Sequence, residues 1–207
     1  MKEAVNRKLM HEGHVTKQNA RCFDCHGGIA HKKADAEKPL EIRSGCSTCH
    51  PDHHKYQELL MKGVKREGIS KTPDPMFKAM TNCLGCHVER GVDKKGEGTL
   101  KATGKACVKC HTKEHDKMLD DWVKELTKEV KSAQELETEA KEVIAEFEGK
   151  KSKEKLDEAR EMLREGQGNL RIVENGNGVH NKKYSMMLID AAMTNFEDLI
   201  DELEEGD

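Results

Sequence analysis

Cys107-Val-Lys-Cys110-His111-Thr-Lys-Glu-His115-Asp116-Lys-Met-Leu119 joins two kinds of sequence, and the change of character inside it decides the fold. Its first half is a Cys-x-x-Cys-His pattern in a region rich in Gly, Pro and Lys with little periodicity, which reads as loops with short helices. Its second half opens an apolar stripe. Leu119, Val123, Leu126, Val130, Ala133, Leu136, Ala140, Val143 and Phe147 recur at three- or four-residue steps, one face of a long helix. Lys and Glu fill the other faces, with pairs such as Glu137 and Lys141 four residues apart. Gly149 ends this helix, and Ser152 caps a second one carrying Leu156, Ala159, Leu163 and Leu170. Asn175-Gly176-Asn177-Gly178 is a turn, and a third helix follows with Tyr184, Leu188, Ala191, Phe196, Leu199 and Leu203 on one face. The expected fold is mainly α. A loop-rich domain with short helices occupies 1–115, and a long-helix hairpin or three-helix bundle occupies 116–207.

Toward the N-terminus the Cys-x-x-Cys-His pattern recurs as Cys22/Cys25/His26, Cys46/Cys49/His50 and Cys83/Cys86/His87, so the four copies use all eight cysteines. Two thiols at this spacing can form thioether bonds to both vinyl groups of one porphyrin, and the histidine that follows sits under the iron as its proximal ligand. Cys₄ zinc sites and redox dithiols are the competing uses, but neither needs a histidine directly after the second cysteine. Four histidines falling there by chance have odds on the order of one in 10⁵ at roughly 5% usage per position. Four covalent c-type haems are therefore expected, one per motif, and the 1–115 region is read as a tetrahaem domain.

Composition points the same way. Aromatic residues make up 3% of the chain and charged residues 36%, too little apolar material for an ordinary core of 207 residues. Four large flat apolar cofactors would supply it. The interval from His11 to His115 spans about 105 residues, so each haem has roughly 26, and haems so crowded lie nearly in contact. The formal charge of −3 offers no basic field for nucleic acid. With propionates and irons added the total becomes roughly −7 to −11, which favours basic docking partners. No run of 18 apolar residues is present, so no membrane span is expected. Met1–His14 has no apolar signal region although c-type haem is attached outside the cytoplasm, so the chain is expected to lack a leader or anchor that preceded it.

Seven histidines remain for the sixth coordination positions: His11, His14, His31, His53, His54, His115 and His180. His31 follows its motif by five residues, and His54 and His115 follow theirs by four. A histidine so close to one motif reaches a neighbouring haem more easily than the open face of its own. His180 stands alone after the Gly-rich turn; a lone histidine is usually a surface residue, but here the turn can bring it inward. The preferred distal set is His31, His115, one of His53 and His54, and His180, with His11 in reserve or lent to another subunit. Met10, Met76, Met80 and Met118 lie near motifs, but with histidines in surplus bis-histidine irons of low potential are expected.

Cys22-Phe-Asp-Cys25-His26-Gly-Gly-Ile-Ala-His31 closely resembles a haem motif of the NapC/NirT family of multihaem quinol dehydrogenases. That resemblance implies that His31 is a distal ligand to another haem, and the upstream Met10-His11 favours His11 over His14. The spacings of 24, 37 and 24 residues between first cysteines resemble the doubled Cys-x-x-Cys-His multihaem cytochromes. Asn177-Gly-Val-His180-Asn181 before a long helix is similar to a segment of the multihaem nitrite reductase and octahaem families, which implies that His180 is a distal ligand. Nitrite reductases often carry lysine under their catalytic iron, whereas all four motifs here end in histidine, so no catalytic residue is assigned.

The function expected is electron transfer, from a membrane quinol-oxidising complex or another redox protein to a reductase or an external acceptor. The chain is read as an electron carrier and not as an enzyme, located in the periplasm or at the cell exterior. Two alternatives stand beside it: a subunit of a polymeric haem filament or larger respiratory complex, and a reductase with one haem open to a small nitrogen or sulfur oxyanion.

Overall fold

A computed structural model describes residues 11–18, 54–79, 83–92 and 98–205 of the chain. The chain divides into two compact units, Met1–Lys55 and Tyr56–Asp207. Of the first, the described part includes a single π-helical turn, Glu12–Thr16. All that follows concerns the second unit.

The apolar stripes become three long helices: α5 (His115–Phe147), α6 (Lys153–Gly176) and α7 (Lys182–Glu204). Each packs on the other two, so the tail is a three-helix bundle and not an open hairpin. At 33 residues α5 is about 50 Å long. Gly149, with φ of +79°, makes the left-handed stop that most residues resist, and the Ser152 hydroxyl accepts from the Lys155 amide to start α6. The core is carried mainly by α7, where Tyr184, Leu188, Ala192, Phe196 and Leu199 are fully buried against Leu126, Ala133 and Ala140 of α5 and Leu156, Ala159, Leu170 and Val173 of α6. Each large apolar side chain so enclosed contributes about 1.5–3 kcal/mol. Two positions of the stripes shift by one residue: Ala192 is buried where Ala191 was expected, and Ile144 lies deeper than Val143. The predicted turn also shortens, since α6 continues through Gly176 and only Asn177, at φ of +54°, breaks it before the 3₁₀ turn Gly178–Asn181.

Before the bundle come short elements: α1 (Lys55–Lys62), α2 (Pro75–Lys78), α3 (Cys83–Cys86), the antiparallel hairpin β1 (His87–Val92) and β2 (Gly98–Ala102), and α4 (Gly104–Cys107). The Asp74 carboxylate accepts from the Met76 and Phe77 amides, which starts α2 at Pro75. The stretch from α1 to residue 72 is held on the bundle by polar side chains. The Asn181 side chain, 1% exposed, donates to the Leu60 and Thr72 carbonyls and accepts from the Tyr184 amide. The Tyr184 hydroxyl donates to the Val64 carbonyl at 2.7 Å, and Arg66 Nε donates to Asn169 at 2.5 Å. Leu60 and Ile69 add apolar anchors to the bundle core.

Candidate haem-binding site

Four of the eight predicted attachment thiols lie in described residues, Cys83, Cys86, Cys107 and Cys110, and none of them is in a disulfide. Cys83 and Cys86 sit on α3, Cys107 ends α4 and Cys110 lies in the turn just after it, and the two single-turn helices touch each other. The four thiols share one neighbourhood. Burial pushes the Cys86 thiol above its usual range, and proximity to Cys107, Asp74, Cys83 and Cys110 pushes it further. As thioethers the same four sulfurs would hold two porphyrins.

The histidine after each cysteine pair is placed differently. His87 opens β1, and its Nδ1 donates to the Leu100 carbonyl across the hairpin at 3.0 Å. With the proton fixed on Nδ1, Nε2 keeps its lone pair for a metal. His180, in the 3₁₀ turn, is prepared in the same way: its Nδ1 lies 2.7 Å from the Gly176 carbonyl and 2.9 Å from that of Asn177. The two ring planes are nearly parallel, 10° apart, with their centres 6.1 Å from each other. Metal–imidazole bonds are about 2 Å and each ring centre lies about 1 Å behind its nitrogen, so two imidazoles sharing one iron have centres about 6 Å apart. The separation is too wide for rings in van der Waals contact and equals the centre-to-centre distance of two imidazoles on one iron.

His111 and His115 form the contrasting pair. Their rings are 4.7 Å apart at 24°, which leaves no room for an iron between them. His115 Nδ1 lies 3.1 Å from the Thr112 hydroxyl and 3.3 Å from the Thr112 carbonyl, again leaving Nε2 free. The pair thus has the geometry of two histidines serving different irons.

Glycine makes the His180 position possible. A side chain at Gly176 would put Cβ 2.5 Å from a Leu60 methyl and 2.9 Å from the Tyr56 carbonyl oxygen, and one at Gly178 would press on Ser185, Val173 and Leu126. The turn is therefore threaded between α1 and the bundle, and Asn181, next to His180, pins it there through the bonds given above. Asn181 was read only as a neighbour of His180, although an Asn three residues before Tyr184 is a helix-capping signal. The Leu100 carbonyl had no sequence signal at all, since any residue supplies a carbonyl.

The remaining predicted residues divide as follows. Cys22, Cys25, His26, His31, Cys46, Cys49, His50 and His53 lie outside the described residues. His11 and His54 are described and exposed, and His14 lies in the N-terminal helical turn.

A family model for cytochrome c552 matches residues 78–199, a span that takes in the third and fourth motifs, His115 and His180. No curated protein matches. Among solved structures, the crystal structure of the outer cell wall cytochrome OcwA is similar in fold, with a TM-score of 0.52 and 18% identity. The match covers 83% of this chain and 38% of that one, so the chain spans well under half the length of its structural relative.

Proposed function

The chain belongs to the cytochrome c552 family and is a multihaem c-type cytochrome, and we propose that it transfers electrons outside the cytoplasm as a tetrahaem relay. The observation that carries this reading is the His87–His180 pair, two near-parallel imidazoles with centres 6.1 Å apart, each with Nδ1 engaged by a backbone carbonyl. Covalently bound haem, when present, supplies one-electron iron chemistry. The protein's own part is to fix potentials and distances. Cys83 and Cys86 would hold the third haem together with His87 and His180, and Cys107 and Cys110 would hold the fourth together with His111. His115, excluded from its own motif's iron by the short ring separation, would serve a neighbouring haem. The first two haems would be held by Cys22, Cys25, Cys46 and Cys49 with His26 and His50, and His31, His54 (or His53) and His11 complete the distal candidates. In this reading 1–115 attaches the haems, and 116–207 contributes His180 and the frame that positions it.

A six-coordinate iron has no vacant position for substrate, which favours a relay over a reductase. The partners would be redox proteins, a membrane quinol-oxidising complex among them; no described helix is long and apolar enough to cross a membrane. The test is intact mass together with optical spectra of the purified holoprotein. Four haem masses on the polypeptide and an all-low-spin oxidised spectrum are expected. A high-spin charge-transfer band, with fast carbon monoxide binding after reduction, would replace the relay by the reductase with one open haem.

A further inference from the structure

We propose that the loop Gly104–Asp116, which carries the fourth pair of attachment thiols, is a docking face for the acidic surface of a redox partner protein. The proposal rests on the electron-relay reading above. Its ground is a local charge pattern opposite to that of the whole chain. Residues 98–118 contain five lysines, Lys101, Lys105, Lys109, Lys113 and Lys117, against two carboxylates, Glu114 and Asp116. The five recur at every fourth position and all are exposed. None of them forms an ion pair with a described residue, whereas some lysines of the bundle do, as in Lys131–Glu135, Lys141–Glu137, Lys150–Glu146 and Lys182–Glu125.

The loop is built to hold its shape. Backbone bonds run from Ala106 to Thr103, from His111 to Cys107, and from both His115 and Asp116 back to Thr112 and Lys113. Gly104 closes it, because α4 packs so tightly on the start of α5 that any side chain there would collide with the Asp116 carbonyl oxygen. Lys105 and Lys117 are next to the two ends of that closure, and Lys109 and Lys113 lie on either side of Cys110 and His111 in sequence. The stem of Lys101 lies over Gly91 on the neighbouring hairpin. Four of the five lysines are therefore tied to one short closed loop around the cofactor attachment point.

The rest of the molecule sharpens the contrast. Residues 1–118 hold 23 Lys and Arg against 15 Asp and Glu, while 119–207 hold 13 against 24. The net charge alone pointed to a basic partner, but an approaching protein responds to the potential at the point of contact. Steering by a patch of one sign raises association rates 10- to 10³-fold and fades with salt. An acidic redox protein would meet the lysines and be brought up against the haem end, away from the acidic bundle.

The test uses reduced holoprotein and inorganic oxidants of opposite charge. In each reaction a ferrous haem loses one electron to hexacyanoferrate(III), giving hexacyanoferrate(II), or to hexaammineruthenium(III), giving its ruthenium(II) form. With hexacyanoferrate the rate is expected to fall as salt rises, despite the protein's negative net charge. Changing Lys105, Lys109, Lys113 and Lys117 to Gln together is expected to slow it about tenfold at low salt and leave it unchanged near 1 M, where the screening length is about 3 Å. A second reading needs no electron transfer: hexacyanochromate(III), a redox-inert paramagnetic trianion, should broaden the amide NMR signals of 104–117 in the reduced low-spin protein. This mapping is blind to haem count and potential, so its failure is distinct from failure of the relay reading. The proposal is overturned if the hexacyanoferrate rate rises with salt, or if the variant matches the native protein. It is also overturned if the variant only shifts reduction potentials, which would make the lysines partners of haem propionates. Salt-resistant retention of a DNA duplex that the variant loses would assign the loop to a polyanion instead.

Discussion

At the residue scale the structure turns on hydrogen bonds that decide which histidine nitrogen is free. His87 and His180 both spend Nδ1 on backbone carbonyls, so each presents a neutral Nε2. Replacing His180 by Ala should turn one haem in four high-spin and raise its potential, with the other three unaffected; an unchanged low-spin spectrum would remove His180 from the ligand set. Asn181 lets ligation be separated from support. Its Ala variant strands the Leu60 and Thr72 carbonyls and the Tyr184 amide in a buried place, a loss of about 2–4 kcal/mol. Chemical denaturation of the holoprotein should show that loss while the resting spectrum stays low-spin, because His180 is held independently by its own bonds to Gly176 and Asn177.

At the element scale, helix pairing depends on a few polar contacts laid over an apolar seam. Glu137 of α5 accepts from Gln167 of α6 at 2.7 Å and pairs with Lys141 at 2.5 Å. Burial acts to raise its pKa, but the hydrogen bonds from Lys141 and Gln167 outweigh it and hold the carboxyl below its ordinary 4.5. A carboxyl whose pKa is depressed by folding stabilises the fold above its unfolded pKa and loses that contribution as pH falls through the folded value. Acid titration of thermal stability should therefore show a drop beginning below about pH 4.5 that Glu137→Gln makes shallower, at a cost of about 1 kcal/mol near neutrality. The long helices were legible because each buries one continuous face, which leaves a 3.6-residue period, and Gly149 and Ser152 mark their ends. The hairpin was not. His87-Val-Glu-Arg-Gly-Val92 and Gly98-Thr-Leu-Lys-Ala102 alternate weakly and were absorbed into a region read as loops. The attachment motifs were legible because chemistry fixes their spacing, whereas the pairing of His87 with His180 joins residues 93 positions apart through tertiary contacts that no local pattern records.

At the scale of the whole molecule, the question is what holds residues 56–115 together. The apolar core runs mainly through the bundle, from Leu126 and Ala133 through Phe196 to Leu203, with Leu60 and Ile69 joining it from the preceding segment. Among the described residues, the shorter elements and their connections bring Leu60, Ile69 and Ala106 as buried apolar residues. They are fastened to the bundle through Asn181, Tyr184 and Asn169. The dependence therefore runs one way. Replacing all eight cysteines by Ser, so that no haem can attach, should leave a soluble protein whose far-ultraviolet circular dichroism keeps the helices of 115–204. Limited proteolysis of that variant should spare the bundle and cut on its N-terminal side. The reverse experiment, deletion of 116–207, removes His180 and exposes Leu60 and Ile69 together; it should yield aggregating material with at least one high-spin haem. If the eight-cysteine variant instead loses its helical signal, the bundle needs the haems to fold. If the deletion stays soluble and wholly low-spin, the bundle is an appended arm, and a histidine other than His180 holds the distal position opposite His87.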